Sequence, residues 1–597
     1  GAALRPEGLV SAPEKCTLDK FTTPCSLAIF ENTCPEWMIA AQGAFSQGVV
    51  VTTIYATLGM DAVIDSVRDG VITAIVCNKR SVGGIMSKIK DMPTLKTIIY
   101  TSDLIAQDET VDLPASPDGV KVISFEDFVS GGDTAKYAPT PPSKDSCAVI
   151  MYTSGSTGKP KGVVLTHSNL VSTIEAGARA IGIKDGQDVY LAYLPLAHIM
   201  EMVFEFGCFA WGCTVCYADP KSLTATGSYP KGALETYSPT LMVGVPKIWD
   251  VIKKGVQAKV AKSSPVAQFL VNTAFQARRF ANEHGYDTPL FKALVFKKLK
   301  AAVGGKLRLA LSGGGPLNEE VQIFVRTAFG CTLIQGYGLT ESCGGSCVQR
   351  TDDLRPLIAG APLAHIEVKL ESCPDINDKA GMAYLSTDTR DVEGNKIHGR
   401  GEVVMKGNGM ALGYYGAPEK TAEVFRPDGF FETGDIGQFM EDGSLRIVDR
   451  KKNLVKLKGG EYIATEKMEM SYGNSKFVDP MSGGICCYGD GDMDRPIALM
   501  TPSKPYIMSW AKENGVAGAY EEVLKSDELQ KAIVADLANE NKKAGLSHIE
   551  KIVAVALITE AWTPENGCLT AANKLQRRVV IDKFEKEFNA TKPKGIF

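Results

Sequence analysis

A loop of glycine, hydroxyl and lysine residues is well suited to hold a polyphosphate. It follows an apolar run at residues 147–152 and comprises Thr153, Ser154, Gly155, Ser156, Thr157, Gly158, Lys159, Pro160, Lys161 and Gly162. Glycines let a backbone turn with its N–H groups pointing inward, hydroxyls add donors, and lysines add positive charge. A flexible surface linker can have the same composition, so the loop alone leaves both interpretations open.

A Walker A phosphate loop is the other nucleotide-binding pattern to consider. That pattern requires Gly-Lys to be followed by Ser or Thr. Here Pro160 follows Gly158 and Lys159. Because the Walker magnesium ligand is missing, the sequence argues against a P-loop kinase or GTPase.

Residues 153–162 resemble the phosphate-loop signature of the adenylate-forming enzymes, a family of acyl-CoA synthetases, luciferases and peptide-synthetase adenylation domains. Further elements follow in that family's order: LPLAH at 194–198, GVPKIW at 244–249, SGGGPL at 312–317, QGYGLTE at 335–341, TGD at 433–435, DRKK at 449–452 and LTAANK at 569–574. Such an ordered set over most of the chain is not a chance arrangement.

The resemblance implies an ATP and AMP site. Gly313, Gly314 and Gly315 lack side chains, so an adenine ring could lie flat against their backbone, although alone they would indicate a tight turn. The other nucleotide-binding positions that the resemblance implies are Thr153, Ser154, Gly155, Ser156, Thr157, Gly158, Lys159, Lys161, Gln335, Gly336, Tyr337, Gly338, Thr340, Asp435 and Arg450.

Glu341 offers a hard oxygen ligand for Mg²⁺, and the hydroxyl of the adjacent Thr340 could reach the α-phosphate. Thr153 is implied as a second metal-binding position. Alone, a glutamate that begins a helix would be interpreted as compensating the helix dipole. The resemblance implies instead that Thr340 and Glu341 are catalytic.

Asp435 can accept hydrogen bonds from both ribose hydroxyls, although a turn aspartate after Gly434 is the simpler interpretation in isolation. Arg450 should add a cation near the ribose or phosphate. Lys452 matches the hinge about which the family's small C-terminal domain swings between half-reactions. Outside this context, a basic run at 450–452 is typical of a solvated charged face.

Lys574 occupies the position of the family's adenylation lysine. A point cation can bind the substrate carboxylate and an α-phosphate oxygen together as charge builds in the transition state, so Lys574 is implied to be catalytic. Without the ordered set, a lysine shortly before Arg577 and Arg578 would be interpreted as a surface residue.

For two further residues, the sequence leaves two possible roles open. His198 is either a wall of the acyl or adenylate pocket or a buried, hydrogen-bonded histidine. Trp249 matches a residue that gates the fatty-acyl tunnel in some long-chain relatives, and a core tryptophan explains it as well.

The resemblance is strongest to the eukaryotic long-chain acyl-CoA synthetases and covers roughly residues 20–590. It rests on residues 30–37, 50–58, 193–198 and 449–462 and on the extended segment between Trp249 and Leu307. Asn453 departs from the family's usual aspartate, which puts the rate of conformational switching in question, and Asn573 stands where an aromatic residue or glycine is usual. Relatives carry an extra N-terminal portion, often with a membrane anchor, whereas this chain begins inside the first domain.

The elements that must position these residues alternate between apolar runs and amphipathic stretches, as residues 26–30 and 36–45 illustrate. This rhythm predicts βαβ units and a mostly parallel sheet. Beyond Gly401, short β stretches with turn residues predict a β-rich subdomain. We therefore predict an α/β fold with a large AMP-binding domain at 1–448, a hinge at 449–453 and a small, mobile α+β domain at 454–597.

Length, composition and charge limit the number of domains, the kinds of ligand and the cellular compartment. A chain of 597 residues exceeds a single core, and 44% hydrophobic with 22% charged residues is ordinary globular composition. The net charge of −4 offers no general basic surface for nucleic acid, so anionic ligands must be bound locally. Fifteen scattered cysteines without zinc-ligand spacing indicate reduced thiols facing the cytosol. With no apolar run long enough to span a membrane and no signal sequence, the chain as given is predicted to be soluble.

The expected reaction has two steps. A long-chain fatty acid attacks the α-phosphorus of ATP to give acyl-adenylate and pyrophosphate, and CoA then forms the thioester and releases AMP. Mg²⁺ is the expected cofactor, and membrane association at the endoplasmic reticulum or another organelle is expected of the full-length protein, through a segment absent from this chain. Three alternatives stay open: a medium-chain or aryl acid CoA ligase, an adenylation domain that loads a carrier protein, and a catalytically weak fatty-acid-binding or uptake protein.

Overall fold

The computed structural model describes residues 1–592 except Gln107, Asp118, 154–160, Asp185, 225–227, Tyr229, Lys379, 571–572 and the side chain of Glu283. Six predicted phosphate-loop positions therefore lie outside the described residues: Ser154, Gly155, Ser156, Thr157, Gly158 and Lys159.

The strands begin at residue 26 and continue into the C-terminal region. In chain order they are β1 (Ser26–Phe30), β2 (Val50–Thr53), β3 (Ala74–Asn78), β4 (Thr97–Thr101), β5 (Lys121–Ser124), β6 (Cys147–Thr153), β7 (Lys161–Thr166), β8 (Val189–Ala192), β9 (Thr214–Tyr217), β10 (Leu241–Gly244), β11 (Leu309–Ser312), β12 (Thr332–Tyr337), β13 (Cys347–Val348), β14 (Ala361–Pro362), β15 (Ile366–Glu371), β16 (Cys373–Asn377), β17 (Ala383–Tyr384), β18 (Ile397–Gly407), β19 (Gly413–Tyr414), β20 (Phe431–Met440), β21 (Leu445–Arg450), β22 (Leu454–Lys456), β23 (Tyr462–Ala464), β24 (Ile485–Tyr488), β25 (Ile497–Met500) and β26 (Val555–Leu557).

The α-helices mostly connect these strands. In chain order they are α1 (Pro35–Phe45), α2 (Met60–Asp69), α3 (Lys79–Ser87), α4 (Phe125–Ser130), α5 (His167–Ile181), α6 (Ile199–Ala210), α7 (Ala233–Tyr237), α8 (Pro246–Ala261), α9 (Pro265–Glu283), α10 (Pro289–Phe291), α11 (Lys297–Ala301), α12 (Glu319–Phe329), α13 (Pro418–Ala422), α14 (Thr465–Tyr472), α15 (Lys504–Glu513), α16 (Tyr520–Val523), α17 (Asp527–Lys543), α18 (Arg577–Lys583) and α19 (Glu585–Thr591). A π-helical turn, Lys292–Phe296, separates α10 from α11, and short 3₁₀ turns lie at Ala2–Leu4, Ile89–Asp91, Pro220–Ser222, Thr340–Ser342, Lys451–Asn453 and His548–Glu550.

Two large sheets, each parallel over most of its width, form the N-terminal region. The first has the order β19-β7-β6-β2-β1-β3-β4-β5, and only β19 and β7 run antiparallel to their neighbours. The second has the order β14-β13-β12-β11-β10-β8-β9, with β13 and β14 antiparallel at one edge. The strands between those edges are parallel because helices cross between them, as the alternating sequence pattern predicts.

Local signals explain where the connecting helices begin and end. The Thr166 hydroxyl accepts a hydrogen bond from the Asn169 N–H at 3.2 Å, and the Asn169 side chain accepts one from the Thr166 N–H at 2.8 Å, a capping box that starts α5. The Asn318 side chain caps α12 by accepting hydrogen bonds from the Glu320 and Val321 N–H groups. Gly182 and Gly330 end α5 and α12 in the left-handed conformation that glycine adopts without steric cost.

The β-rich subdomain and the C-terminal region follow. An antiparallel four-stranded sheet, ordered β15-β18-β20-β21, forms the predicted β-rich part. A three-stranded sheet, β24-β25-β26, with α14 to α17 around it, forms the later region. The predicted α/β class, with a large N-terminal part and a smaller C-terminal part, is confirmed, whereas the boundaries at 448, 449–453 and 454 stay a prediction.

Separate hydrophobic cores support these units. One core lies against the first sheet and includes Trp37 and Val149, a second lies against the second sheet around Tyr190 and Trp249, and a third fills the C-terminal region around Tyr472. Among the described residues, none of the helices is both long and apolar enough to cross a bilayer.

Candidate functional site

The candidate site lies where parallel strands of the second sheet end. In β11 and β12, Ser312 pairs with Gln335 at their carboxyl ends. Gly313–315 follow β11 directly, and Gly336 and Tyr337 end β12. Because crevices at the carboxyl ends of parallel strands are where open α/β sheets bind ligands, the predicted adenine-binding and nucleotide-binding motifs meet at one edge.

Glycine at these positions is required by close approaches. A Cβ on Gly338 would lie 1.7 Å from the Gly344 carbonyl oxygen, and one on Gly313 would lie 2.8 Å from Met200 Sδ. Gly314 has φ +78°, in the left-handed region. By contrast, a Cβ on Gly315 would have its nearest neighbour, Pro246 Cγ, at 3.7 Å. The Gly315 backbone is therefore open to a flat ligand such as adenine.

Gln335 is oriented by a buried amide network. Its side-chain amide donates to Gln322 Oε1 at 3.1 Å, and its backbone N–H donates to Gln349 Oε1 at 3.1 Å. Gln322 in turn donates to Gln349 Oε1 at 3.0 Å. The Gln335 side chain thus joins β12 to α12. The part of Gln335 nearest the cleft is therefore its backbone.

Asp435 joins the β-rich subdomain to this edge. The Tyr337 hydroxyl donates to Asp435 Oδ2 at 2.6 Å, and Arg450 Nε lies 3.7 Å from Asp435 Oδ1. Asp435 is only 4% exposed. Burial raises the pKa of Asp435, while Arg450 and the Tyr337 hydrogen bond act against that rise. The carboxylate is thus held in one orientation beside a fixed cation, as a ribose-binding residue requires.

Glu341 is held from the first sheet. It lies in the 3₁₀ turn Thr340–Ser342, and the Tyr414 hydroxyl donates to its Oε1 at 2.9 Å. The Glu341 carbonyl accepts from the Ala411 N–H at 2.7 Å. The predicted catalytic neighbour Thr340 is half-buried in the same turn. Turn and carboxylate therefore have fixed positions between the two large sheets.

Thr153 and Lys161 mark the two ends of the predicted phosphate loop. They face each other across β6 and β7, and the Thr153 hydroxyl donates to the Lys161 carbonyl at 3.4 Å. Lys161 Nζ lies 4.6 Å from the ring centroid of Tyr414, the residue that binds Glu341. Cation, tyrosine and carboxylate thus form a chain that links the phosphate-loop strands to the turn containing Glu341.

A magnesium ion fits this donor set. Mg²⁺ sites in phosphoryl chemistry combine one or two carboxylates with substrate phosphates and water, and they do not need an all-protein cage. Glu341 supplies such a carboxylate and Thr153 a hydroxyl. Within the part of the chain that the structure describes, no cluster of three or more metal-binding His, Cys, Asp or Glu side chains occurs. This donor set fits a metal that is shared with nucleotide.

His198 and Trp249 occupy different surroundings. The His198 Nδ1 accepts from the Met200 N–H at 3.2 Å and thereby caps α6, and burial together with the charge of Lys574 lowers the pKa of His198 to about 3. Trp249 is 0% exposed, and its indole N–H has no hydrogen-bond partner among the described residues. A Cβ on Gly244 would lie 2.9 Å from the Trp249 ring. His198 is thus a neutral, hydrogen-bonded histidine within electrostatic range of Lys574, and Trp249 is a core residue packed on β10.

Lys574 comes from the C-terminal region and faces the cleft. Its backbone N–H donates to Thr570 Oγ1 at 3.1 Å, and its carbonyl accepts from the Thr570 N–H at 2.7 Å. Burial and then the charge of Arg450 lower the pKa of Lys574 to about 8, against the opposing charges of Glu466, Asp435 and Glu341. The predicted catalytic lysine therefore lies within electrostatic range of the predicted ribose and metal residues.

Direct contacts hold the C-terminal region in this position. Lys254 Nζ donates to the Gly473 carbonyl at 2.9 Å. The Asn318 amide donates to the Met470 carbonyl at 3.4 Å, and the Tyr462 hydroxyl donates to the Asp375 carbonyl at 3.0 Å. The conformation is thus one in which Lys574 is presented to the nucleotide cleft.

The predicted hinge contains a buried polar network. Lys452 is exposed, whereas the Asn453 side chain is buried and donates to Glu466 Oε2 at 2.9 Å and Asp449 Oδ1 at 3.3 Å. Arg577 Nη1 donates to Asn453 Oδ1 at 3.1 Å. The departure at Asn453 therefore has a structural role, since the amide both donates to two carboxylates and accepts from Arg577.

Carboxyl groups of this network hold protons unusually strongly. Burial and then the charge of Glu466 raise the pKa of Asp449 to about 7. Burial also raises the pKa of Glu469 to about 7, although Arg577 binds that carboxylate with three hydrogen bonds at 2.8, 2.9 and 3.2 Å. We therefore expect the junction to respond to pH near neutrality.

Sequence reasoning missed several residues of the site. Tyr414 lies outside the quoted motifs, and only its place in β19 beside β7 brings it to Glu341. Glu466 and Arg577 carried no predicted role because their connection to Asn453 depends on how α14 and α18 pack. The neighbouring glycine and tyrosine of the Gly413-Tyr414-Tyr415 run are the only local signal that could have singled out Tyr414.

The fold and the cleft together define a nucleotide-binding, adenylate-forming enzyme. Residues 25–415 match the family described as AMP-binding enzyme. This match spans more than half of the chain, so the chain belongs to the AMP-binding enzyme family.

Curated relatives place the chain more narrowly. It is 36% identical to long chain acyl-CoA synthetase 8 of Arabidopsis thaliana over 578 residues, which cover 94% of this chain and 78% of that protein. It is 35% identical to long-chain-fatty-acid–CoA ligase 1 of Schizosaccharomyces pombe over 575 residues, which cover 94% of this chain and 81% of that protein. Within the AMP-binding enzymes, the chain is a member of the long-chain-fatty-acid–CoA ligases.

Solved structures support the fold. The adenylation domain of a carboxylate reductase from Mycobacterium chelonae aligns with a TM-score of 0.76 at 20% identity, covering 99% of this chain and 82% of that one. ATP-bound MatB from Rhodopseudomonas palustris aligns with a TM-score of 0.65 at 19% identity, covering 98% of this chain and 91% of that one. At these identities the likeness concerns the fold alone.

Proposed function

We propose that this chain converts a long-chain fatty acid, ATP and CoA into acyl-CoA, AMP and pyrophosphate. The observation that carries the proposal is that Lys574 lies within electrostatic range of Asp435, Arg450 and Glu341. Cation, ribose acceptor and metal carboxylate come from three separate parts of the chain. Membership of the long-chain-fatty-acid–CoA ligases supports the same reaction.

In the first step, the fatty-acid carboxylate attacks the α-phosphorus of ATP and the bond to pyrophosphate breaks. Asp435 accepts the ribose hydroxyls and Gly313–315 accommodate the adenine. Lys574 binds the carboxylate and an α-phosphate oxygen, because a positioned cation stabilises charge that develops between them. Among the described residues, positioning and charge neutralisation account for this chemistry without a protein nucleophile.

The phosphates require further cations. Glu341, with Thr153, would hold Mg²⁺, which neutralises phosphate charge when bound. Thr340 and Lys161 lie beside that carboxylate and the phosphate-loop strands, in positions to contact the α-phosphate and the polyphosphate. The loop residues Ser154–Lys159 lie outside the described residues, and their role stays a prediction.

In the second step, the CoA thiol attacks the adenylate carbonyl, and AMP leaves with the bonding electrons of the broken C–O bond. The present conformation, with Lys574 at the cleft, suits the first step. We propose that Lys452 and the adjacent Asn453 network form the hinge that moves Lys574 away before CoA attacks. His198, which lies within electrostatic range of Lys574, is the residue that we assign to the path of the acyl-adenylate, whereas Trp249 is fully buried in the core of the second sheet.

Incubation with ATP, Mg²⁺, CoA and palmitate tests the proposal. The expected products are AMP, pyrophosphate and palmitoyl-CoA in equal amounts. Absence of AMP with every saturated acid from dodecanoate to eicosanoate, for a folded protein, would contradict it. Pyrophosphate exchange with medium-chain or aryl acids, and not with long-chain acids, would show that the enzyme activates another class of acid. Binding of fatty acid without any exchange would indicate a fatty-acid-binding protein.

Lys574→Ala separates the half-reactions. It should abolish acyl-adenylate formation but leave thioester formation from supplied palmitoyl-adenylate largely intact. Lys551→Ala, which removes an exposed lysine elsewhere in the C-terminal region, is the matched control and should retain both steps. Equal loss of both steps in Lys574→Ala would refute its assigned role.

Long-chain fatty acids partition strongly into bilayers. This supports the further proposal that the protein works at a cytosol-facing organelle membrane such as the endoplasmic reticulum.

A further inference from the structure

Exposed apolar side chains are concentrated in one segment of the sequence, from α9 to the π-helical turn that follows it. Seven of the twenty large hydrophobic residues that are exposed in the described part of the chain fall between positions 266 and 294: Val266, Phe269, Leu270, Phe280, Tyr286, Leu290 and Leu294. Single exposed hydrophobic residues are normal on a soluble protein, whereas a cluster marks an interaction surface.

The cluster is ordered along α9. Val266, Leu270, Thr273, Ala277 and Phe280 recur at intervals of three and four residues, which places them on one side of the helix. Phe269 joins the same side. Val266, Phe269 and Phe280 are 77%, 73% and 59% exposed. The helix therefore presents an apolar stripe to solvent along most of its length.

The opposite side of α9 is already packed. Ala274 and Ala281 are buried at 0% and 5% exposure. The Phe275 ring stacks on Phe324 of α12 at 5.2 Å and meets Phe296 edge-on at 5.5 Å. This inner side packs α9 against the second-sheet unit. The outer stripe is therefore left facing solvent in the described part of the chain.

Exposed lysines flank the stripe in the sequence. From Lys253 to Lys306 the sequence has eleven lysines and arginines but only two acidic residues, in a protein of net charge −4. Lys259 and Lys262 precede α9, while Lys297 and Lys298 follow Leu294 by three and four residues. These four lysines are exposed and have no ion-pair partner among the described residues. We call the seven apolar residues and these four lysines the α9 surface.

We infer that the α9 surface docks on the anionic phospholipid face of a membrane. An amphipathic helix can lie in the interface with its apolar side at the headgroup boundary, while flanking lysines are attracted by acidic lipids. The phenylalanines and leucines supply the inserted groups, and the lysines supply charge complementarity. This binding does not depend on the acyl-CoA ligase reaction.

A second copy of the chain fits the surface less well. A symmetric dimer would bring the same face of both copies together and would oppose two strongly basic segments. Like charges at an interface are unfavourable, whereas an anionic bilayer satisfies them. The positive charge of the segment from Lys253 to Lys306 therefore favours an anionic bilayer over a second copy of the chain as the partner.

Vesicle sedimentation tests this inference. The chain should bind vesicles of phosphatidylcholine and phosphatidylserine, bind phosphatidylcholine alone much more weakly, and dissociate as salt is raised. Phe269→Ser with Phe280→Ser should lower the partition coefficient about tenfold or more. Lys297→Glu with Lys298→Glu should lower it about tenfold or more and should also reduce the salt dependence.

Matched controls remove equally exposed residues elsewhere. Val171→Ser with Met481→Ser replaces side chains that are 63% and 66% exposed, and Lys420→Glu with Lys551→Glu changes the same number of charges. Both controls should bind vesicles like the parent chain. Equal binding by the α9 variants and the parent would overturn the inference. So would the absence of vesicle binding together with self-association that Phe269→Ser and Phe280→Ser abolish.

Discussion

The Tyr414 hydroxyl donates a hydrogen bond to Glu341 Oε1 at 2.9 Å and so joins the edge of the first sheet to the turn after β12 of the second. Lys161 lies over the same tyrosine ring. The carboxylate that we propose as the Mg²⁺ ligand is thus oriented by a residue from another sheet. The loss of a group that orients a metal ligand typically lowers metal affinity about 10- to 100-fold.

Tyr414→Phe should therefore weaken the use of Mg²⁺. The Mg²⁺ concentration at half-maximal pyrophosphate exchange should rise about tenfold, because Glu341 loses the donor that orients it. Tyr415→Phe is the matched control, since the Tyr415 hydroxyl accepts a hydrogen bond from the Phe21 N–H at 2.7 Å at another site. The control should lose some stability and keep its Mg²⁺ dependence. An unchanged Mg²⁺ dependence in Tyr414→Phe would argue against Glu341 as the metal ligand.

Lys574 predicts a pH limit for adenylation. Burial lowers the pKa of Lys574 to about 8, so in the free enzyme the cation is present below that pH and is lost above it. The kcat/KM for pyrophosphate exchange should fall by a single deprotonation as pH rises through about 8. Measuring exchange without CoA keeps the thiol of CoA from contributing.

Lys574→Arg tests the origin of that limit. A guanidinium stays protonated throughout this range, so the variant should be slower but should lack the alkaline fall. The same alkaline fall in Lys574→Arg would assign it to another group.

Sequence reasoning reached the fold class and the ordered motifs because both depend on local pattern. Alternating apolar and amphipathic runs predicted the parallel sheets, and the glycines at 313, 314 and 338 stand where the backbone has no room or needs a positive φ. Gln335 was grouped with the nucleotide contacts, yet its side chain binds Gln322. The direction of a side chain on a strand end depends on which helix covers the strand, and the motif does not contain that information.

The contacts between units could not be predicted from the sequence either, because local motifs do not specify how separate elements pack. Tyr414 and Glu341 are 73 positions apart, and Asn453 and Arg577 are 124 apart. Both pairs depend on the packing of separately built sheets. The interpretation of His198 as a hydrogen-bonded histidine agrees with its cap on α6, but a cap signal was not recognised because histidine is an uncommon capping residue.

Asp449 predicts how stability varies with pH. The pKa of Asp449 is raised to about 7 in the folded chain, chiefly by burial, while an unfolded aspartate ionises near pH about 3.9. Between those values the folded state holds a proton that the unfolded state has lost. The free energy of unfolding should therefore fall as pH rises from about 4 to about 7, by a few kcal/mol at most.

Asp449→Asn should remove much of that pH dependence, as measured by thermal unfolding at a series of pH values. Asp442→Asn is the control with the opposite sign, because hydrogen bonds from Ser444 hold the pKa of that exposed carboxylate at about 2. Its contribution is present above the unfolded pKa and is lost as pH falls toward about 2. A parent-like pH profile in Asp449→Asn would show that another group holds the proton.

Tyr337 predicts how the ribose is recognised. Its hydroxyl donates to the buried Asp435 at 2.6 Å, and Asp435 must stay ionised to accept hydrogen bonds from both ribose hydroxyls. Tyr337→Phe removes a donor that opposes the burial-driven rise in the pKa of Asp435. Because a hydrogen bond to a charged group contributes about 1.5–3 kcal/mol, the Kd for ATP should rise about tenfold or more.

Comparing ATP with 2′-deoxy-ATP by calorimetry makes the test specific. If Tyr337 acts through Asp435 and the ribose, the preference for ATP should shrink in Tyr337→Phe, since the two changes remove coupled interactions. Tyr462→Phe, which loses a hydroxyl contact to the Asp375 carbonyl at the surface, should keep the parent preference. An equal loss of affinity for both nucleotides in Tyr337→Phe would place its effect on the adenine or phosphates, and Asp435 would no longer be the ribose acceptor.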